Sequence, residues 1–183
     1  TSGQVSELAR ILFQERAIAI DTESNSRHRY PERVCLVQVA TDSNVYLIDT
    51  LAVDDMKPIG EVLGDETVVK VIQGAEYDIR CLDREWGFRI RNLFDTSIAA
   101  RFVGMKQTGL SVLTGDLLGV HIPKDARIQK SDWTRRPLSQ EAVNYAAMDV
   151  WYLQSIQKTL ESRLRTLARS QWVSEECARL EQI

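Results

Sequence analysis

Short runs of apolar residues alternate with polar segments along the first half of the chain. Residues 17–21 form an apolar run that ends in an acid, which is typical of a buried strand whose end meets a cleft. Residues 34–40 and 45–49 are two further β-rich runs, and the polar segment 41–44 between them predicts a hairpin. Residues 68–72 predict a fourth strand.

The second half of the chain has the spacing of helices. Helices are predicted over residues 55–63, 75–86 and 110–118, and from Asp95 after a short strand at 93–94. Residues 121–136 have no clear period and predict a long loop. Ser139 is a strong helix cap, so we expect a helix from there to about residue 160 and a helical tail. This order of elements predicts an α/β layered domain with an antiparallel hairpin.

The chain of 183 residues has the size of one domain, and its 44% hydrophobic and 27% charged residues are an ordinary globular balance. We predict a domain over residues 1–165, followed by a helical tail or a linker toward a further domain over 166–183. No apolar run approaches the ~20 residues that span a bilayer, and no signal peptide is visible. Cys35, Cys81 and Cys177 lack metal-ligand spacing, so reduced core thiols and a cytoplasmic location are expected.

The formal net charge of −3 argues at first against a nucleic-acid partner. The distribution of charge weakens that objection, because residues 121–136 carry five basic and two acidic side chains. A second basic segment contains Arg27, Arg29 and Arg33 against Glu32. A basic rim around an acidic pocket filled with cations suits phosphate handling. An ordinary solvated surface fits the same pattern.

Two acids close the first predicted strand. Asp21 and Glu23 are two residues apart, so their side chains share one face of the strand while Thr22 points away. Carboxylates this close repel each other unless a cation or a proton joins them. A solvated pair in a strand-end turn is the alternative interpretation.

Two further acids lie on predicted helices. Asp78 is one turn into the helix after Gly74, where the helix dipole alone would favour an acid. Tyr145 and Asp149 are four residues apart on one helix face, in a nearly wholly apolar stretch. An unpaired carboxylate there is costly to bury and needs a partner. Spacing alone does not show that the four acids meet.

Three motifs join these acids. The segments Asp21-Thr-Glu23, Gly74-Ala-Glu-Tyr-Asp78-Ile-Arg-Cys-Leu82 and Tyr145-Ala-Ala-Met-Asp149 resemble the three motifs of the DEDD exonucleases, in the ribonuclease D branch. Asp95-Thr96 and residues 131–139 resemble further stretches of that branch. The resemblance covers residues 17–160. Three motifs in the right order are specific, whereas any one alone is weak.

The third motif also indicates the subtype. One branch of the family has a histidine five residues before the last aspartate, where this chain has Asn144; the other has a tyrosine four residues before, as Tyr145 is here. The chain departs from many members at Gln73, where they have histidine, and at Ser24, where they have a bulky aromatic residue. These departures bear on local geometry and on how the terminal base is held.

The resemblance implies a ribonuclease H-like fold, with a mixed five-stranded sheet, antiparallel at its second strand and flanked by helices. It implies two Mg²⁺ or Mn²⁺ ions, one bound by Asp21, Glu23 and Asp149, and one by Asp21 and Asp78. Tyr145 would orient the attacking water, since a tyrosine of ordinary pKa ~10 is a poor base at neutral pH. These five residues are the implied catalytic set.

The expected activity is 3′–5′ exonucleolytic hydrolysis of single-stranded ends, releasing nucleoside 5′-monophosphates, with RNA favoured over DNA as in tRNA-type 3′ trimming. Candidates for nucleic-acid contact are Thr22, Lys130, Trp133, Arg135 and Arg136, although plain surface charge also explains the cations and Trp133 could instead anchor its loop. A DNA-directed exonuclease remains open, because contacts to the 2′-hydroxyl are not visible in the sequence. So does a non-catalytic nucleic-acid-binding module, which the complete set of acids disfavours.

Overall fold

A mixed sheet forms the centre of the molecule. The computed structural model describes residues 1–123 and 125–183; Lys124, in the predicted basic loop, lies outside the described residues. The strands are β1 (Ala17–Ser24), β2 (Val34–Ala40), β3 (Val45–Ile48), β4 (Val69–Ile72) and β5 (Leu93–Asp95). Their order is β3-β2-β1-β4-β5. β2 is antiparallel to both neighbours, while β4 and β5 are parallel to β1. The predicted hairpin and mixed five-stranded sheet are confirmed.

Helices cover the sheet. They are α1 (Ser2–Leu12), α2 (Lys57–Gly64), α3 (Glu76–Trp86), α4 (Thr96–Phe102), α5 (Leu110–Leu113), α6 (Ala126–Gln129), α7 (Gln140–Trp151), α8 (Leu153–Thr166) and α9 (Ser170–Leu180). A π-helical turn, Thr114–Leu118, continues α5. α7 packs on β1, β2 and β3, whereas α8 packs on β1 and β4. Every residue of β2 is buried, which explains why this strand is a nearly continuous apolar run.

Two predicted elements differ from the structure. The helix expected from Ser139 to about residue 160 is two helices, because the chain turns at Tyr152. The turn lets α7 and α8 follow different strands of the sheet, and Gln154 in α8 donates hydrogen bonds to the carbonyl oxygens of Ala17 and Ala40. The segment 121–136, expected to be a loop, contains the short helix α6.

The C-terminal helix is part of the same folded unit. α9 packs on β5 and α4, and its Val173 and Cys177 lie in the core. Glu181 accepts a hydrogen bond from the backbone N–H of Leu93 at 2.8 Å. The segment 166–183 was expected to be a helical tail or a linker; it contains the helix α9, whose apolar side chains cover the edge strand β5.

The three cysteines are buried and unpaired, as expected for core thiols. Within the described residues, no helix has the length and apolar character needed to cross a membrane.

Truncating Val173 tests whether α9 is structural. We expect Val173→Ala to lower the free energy of unfolding by ~2 kcal/mol, because it removes buried methyl groups and leaves a cavity. Ser174→Ala, at an exposed neighbouring position, should leave it unchanged within about 0.5 kcal/mol. Chemical denaturation of both variants makes the comparison. Equal stability of the two variants would mean that α9 is not needed for the fold.

Candidate active site

The end of β1 brings two acids to one face of the sheet. Asp21 pairs with Gln38 of β2, and the register shifts between Glu23 and Ser24, the last residue of β1, which pairs with Val34. Carboxylate oxygens of Asp21, Glu23 and Asp149 lie within 4.8 Å of one another. The alternation of side chains along β1 therefore orients both acids toward the acid on α7, as expected from their spacing.

Asp78 approaches from the other side of β1. Its Oδ1 accepts a 2.6 Å hydrogen bond from the hydroxyl of Thr22, and both side chains are buried. The turn that begins α3 is held by Asp95, whose carboxylate accepts hydrogen bonds from the backbone N–H groups of Gly74 at 3.3 Å and Ala75 at 2.7 Å. Gly74 has a φ of +68°, a conformation that favours glycine. Asp95 also caps α4. One buried acid thus fixes the helix that carries Asp78.

α7 carries Asp149 and Tyr145 on the face that meets β1. The helix begins at Ser139, whose side chain accepts a hydrogen bond from the N–H of Ala142. The ring of Tyr145 packs against Trp133, with centroids 6.3 Å apart. Because Trp133 is buried with an exposed fraction of 1%, it forms a rigid support for Tyr145.

Burial disfavours the ionised form of all four acids, and repulsion by neighbouring carboxylates adds to this at Asp21 and Glu23. Burial, and then the neighbouring carboxylates, raise the pKa of Asp21 well above its ordinary value and that of Glu23 to about 9. Burial raises the pKa of Asp149 to about 7 and that of Asp78 to about 6, although the hydrogen bond from Thr22 favours ionised Asp78. Among residues 1–123 and 125–183, no lysine or arginine forms an ion pair with any of these acids.

A divalent cation fits this set of donors. Carboxylate oxygens are the ligands that Mg²⁺ and Mn²⁺ prefer, and here they converge while no described lysine or arginine pairs with them. Gln38 is fully buried, and its Nε2 lies 3.5 Å from Asp21 Oδ2, so a neutral amide rather than a cation supports that acid. A bound cation would supply the missing positive charge.

The acids line a cleft of about 670 Å³. Tyr77 also lines it, with 46% of the residue exposed. Its hydroxyl is held by Glu32 and by Ser24, whose Oγ lies 2.7 Å away. Burial, and then the hydrogen bond to Glu32, raise the pKa of Tyr77 to about 12, so it stays neutral. These hydrogen bonds therefore hold the ring of Tyr77 at the cleft. It lies next to Ser24, whose small side chain leaves space there.

The second departure from the family pattern, Gln73, is built into the wall of the cleft. Its Oε1 accepts a hydrogen bond from Thr96 at 2.5 Å, and its Nε2 donates to the carbonyl oxygen of Thr108 at 2.7 Å. Gln73 thereby ties the end of β4 to α4 and to the segment before Gly109, which lines the cleft. It has a structural partner on each side.

Three of the side chains predicted to bind nucleic acid are already engaged. Thr22 donates its hydroxyl to Asp78. The prediction that Trp133 stacks on a base is wrong in this structure, because the indole is buried; the alternative, a loop anchor, agrees with its packing. Arg136 was expected to bind phosphate, but its guanidinium donates to Asp49 at 2.7 Å and to the carbonyl oxygen of Cys35. It clamps the loop to the sheet.

The other two predicted contacts remain open. The side chains of Lys130 and Arg135 are exposed, and Arg135 is 3.8 Å from Asp132 in a weak ion pair. Sequence reasoning missed Tyr77 and Gln38 as parts of the site. Gln38 had a signal, since it is the single polar residue in an otherwise apolar run. No sequence signal marked Tyr77, because nothing in its helical segment predicted an exposed aromatic side chain.

The chain is similar to known 3′-5′ exonucleases in sequence and in fold. Residues 1–165 match the 3′-5′ exonuclease family. A ribonuclease D from Granulibacter bethesdensis is 40% identical over 97% of this chain, which spans 45% of that protein. The structure of Escherichia coli RNase D, an exoribonuclease involved in structured RNA processing, has a TM-score of 0.91 at 27% identity, covering all of this chain and 48% of that one.

A third protein, Brucella melitensis NrnC, has been solved with bound Mg²⁺. It is 27% identical, with a TM-score of 0.83 over 93% of this chain and 84% of that one. The match to the family covers most of the chain, and the fold agrees with that of the solved RNase D. The expected ribonuclease D-like identity is confirmed, and the chain belongs to the 3′-5′ exonuclease family.

Proposed function

We propose that this chain hydrolyses phosphodiester bonds from the 3′ ends of single-stranded RNA, one nucleotide at a time, and releases nucleoside 5′-monophosphates. The observation that carries the proposal is the convergence of Asp21, Glu23 and Asp149, with Asp78 beside them, in an open cleft where no described lysine or arginine forms an ion pair with them. The chain spans about half the length of the ribonuclease D proteins that it matches, so the substrate of a longer protein is part of this proposal.

Two divalent cations, Mg²⁺ or Mn²⁺, would be held by these carboxylates. Asp21, Glu23 and Asp149 would bind one cation, and Asp21 and Asp78 the other. Such cations activate a water and stabilise the charge that develops on the attacking and leaving oxygens. Solved structures of Brucella melitensis NrnC with bound Mg²⁺ and with bound pGG support both the metal and a nucleic-acid substrate.

Tyr145 would orient the attacking water. Burial and the nearby acids, Asp149 foremost, raise the pKa of the Tyr145 hydroxyl above its ordinary value. The hydroxyl is therefore protonated at neutral pH and acts as a hydrogen-bond donor rather than a base. Its contact with buried Trp133 restricts where the donor can point.

The terminal base would be held in the cleft by the exposed ring of Tyr77. Stacking on an aromatic ring tolerates any base, which suits an enzyme that trims ends without reading sequence. Lys130 and Arg135, both exposed, are candidates for contact with phosphates. We favour RNA over DNA because the E. coli relative is an exoribonuclease. The three buried thiols are compatible with a reducing compartment, and we infer a cytoplasmic location.

A time course with 5′-labelled single strands tests the function. Matched RNA and DNA oligonucleotides are incubated with Mg²⁺, Mn²⁺ or a chelator, and the products are resolved at single-nucleotide length. We expect a ladder that shortens from the 3′ end, faster on RNA, and no cleavage with chelator. Faster cleavage of DNA would favour a DNA exonuclease. Strand binding without hydrolysis under any metal would favour a non-catalytic module.

Asp21→Asn tests the shared metal ligand. We expect the rate to fall by at least about 1,000-fold, since the loss of correct cation placement removes several kcal/mol of transition-state stabilisation. Asp54→Asn removes the same charge at an exposed position and should retain full activity. Activity of Asp21→Asn equal to that of wild type, in a folded protein, would remove Asp21 from the site.

Tyr145→Phe tests the orientation of the water. We expect the rate to fall by about 10- to 100-fold, the value of one hydrogen bond to a reacting group. Metal binding, measured by calorimetry, should be unchanged. Tyr46→Phe, which loses the same oxygen on β3, is the matched control. An unchanged rate for Tyr145→Phe would refute its role.

Metal-free stability tests the repulsion between the acids. The pKa of Glu23 is raised from 4.5 to about 9 in the folded protein. The stability that the folded state gains by binding this proton is therefore fully present below pH 4.5 and is lost as the pH rises toward 9. In chelator, the melting temperature of Glu23→Gln should exceed that of wild type by an amount that grows across this range.

Added Mg²⁺ should reverse that difference. A ligand that binds only the folded state at 100 times its Kd stabilises it by about 2.7 kcal/mol, and wild type should gain more than Glu23→Gln. Thermal melts of both proteins at several pH values, with and without Mg²⁺, make the measurement. A pH-independent difference between them would contradict strong repulsion at Glu23.

A further inference from the structure

The loop between β1 and β2, residues 25–33, is closed at its base. The backbone N–H of Asn25 donates to the carbonyl oxygen of Arg33 at 3.1 Å, and the N–H of Arg33 donates to Asn25 Oδ1 at 2.6 Å. Asn25 itself is buried. Glu32 forms an ion pair with Arg84 at 2.9 Å and accepts a hydrogen bond from Tyr77. The base of this loop is thus fixed to α3.

The tip of the loop presents basic and aromatic side chains to solvent. Tyr30 is 99% exposed, so its ring adds nothing to the core. Arg27 and Arg29 are also exposed, and neither forms an ion pair with any residue in 1–123 or 125–183. By contrast, Arg33 at the base is paired with Glu85 at 3.1 Å. Within the described loop 25–33, the arginines that form no ion pair and the solvent-exposed ring of Tyr30 therefore lie at the tip.

The tip lies at the mouth of the acidic cleft. Ser26 and Arg27 line the cleft together with Asp21 and Glu23. His28 Nε2 is 2.8 Å from the carbonyl oxygen of Lys130, which links this loop to the basic segment 121–136, whose Gln129 and Ser131 also line the cleft. A nucleic-acid single strand whose 3′ end enters the cleft would therefore pass beside this loop where it leaves the cleft.

We propose that residues 27–30 form a second contact for the substrate strand, upstream of the bond that is cut. Arg27 and Arg29 bind backbone phosphates, and Tyr30 stacks on a base outside the cleft. The inference rests on the proposed nuclease function and deepens it, because it predicts that longer single strands are gripped and short ones are not.

The chemistry of the tip favours a nucleic acid over a protein partner. Arginines that form no ion pair among the described residues can attract phosphate, and an unsupported aromatic ring gains from stacking on a base of any identity. The acidic residues of the cleft would repel the phosphate backbone of a nucleic acid. The basic tip of the loop, beside the cleft, is where that backbone can bind. An acidic protein surface would use the two arginines but would not need the fully exposed ring.

Strand binding is the first test. Fluorescence anisotropy with a 5′-labelled 20-nucleotide RNA in Ca²⁺, across a series of salt concentrations, compares wild type with three variants. Tyr30→Ala should weaken binding by about five- to 150-fold, the value of one stacked base. Tyr30→Phe keeps an aromatic ring and should bind as wild type does. Arg27→Ala/Arg29→Ala should lower the slope of log K against log salt by about 0.7 for each phosphate that the variant no longer neutralises.

A matched double variant controls for net charge. Arg10→Ala/Arg163→Ala removes two exposed arginines from α1 and α8, which contribute no residue to the cleft. It should bind RNA as wild type does. Because Tyr30 is almost fully exposed, its substitution removes no packing, and unchanged melting temperatures verify that every variant is folded.

The dependence of hydrolysis on substrate length is the second test. With RNAs of two to twenty nucleotides, Tyr30→Ala should match wild type on dinucleotides and lose activity only on strands long enough to reach the loop. Equal activity at all lengths and unchanged binding would overturn the inference, and so would a loss that is the same at every length. If wild type cleaves no strand, the proposed function fails, and the binding measurements alone decide the role of the loop.

Discussion

Mutual repulsion of four carboxylates in one small space is the constraint on which the rest of the structure depends. Asp21, Glu23, Asp78 and Asp149 come from three separate segments, and burial raises the pKa of each. A fold that gained stability from these residues would pair them with arginine or lysine. Here the described residues supply only neutral donors, such as Thr22. The repulsion therefore lowers the free energy of unfolding of the metal-free protein, and a bound cation would offset that loss.

The surrounding structure serves to hold those acids against their repulsion. Asp95 joins the first turns of α3 and α4, so the helix carrying Asp78 cannot shift without breaking several hydrogen bonds. On the opposite side, Arg136 clamps its loop to β2 and β3, and buried Trp133 from that loop supports Tyr145. Residues that resembled substrate contacts are thus part of the frame. The packing and hydrogen bonds of this frame hold the site residues in place.

Much of the sheet and the identity of the acids could be predicted, because strand alternation and the three motifs are local in sequence. The break at Tyr152 could not, since both helices have continuous apolar faces and only the packing on different strands separates them. The engagement of Arg136 with Asp49 joins residues far apart in the chain, so no pattern indicated it. The exposure of Tyr77 likewise depends on tertiary contacts to Ser24 and Glu32.

The most direct measurement is the location of metal in the folded protein. Crystals soaked in Mn²⁺, with anomalous difference maps, report the position of the cation independently of any activity. We expect one peak bounded by the carboxylates of Asp21, Glu23 and Asp149, and a second beside Asp78. A cleft without anomalous density, under conditions in which the protein degrades RNA, would contradict the central claim.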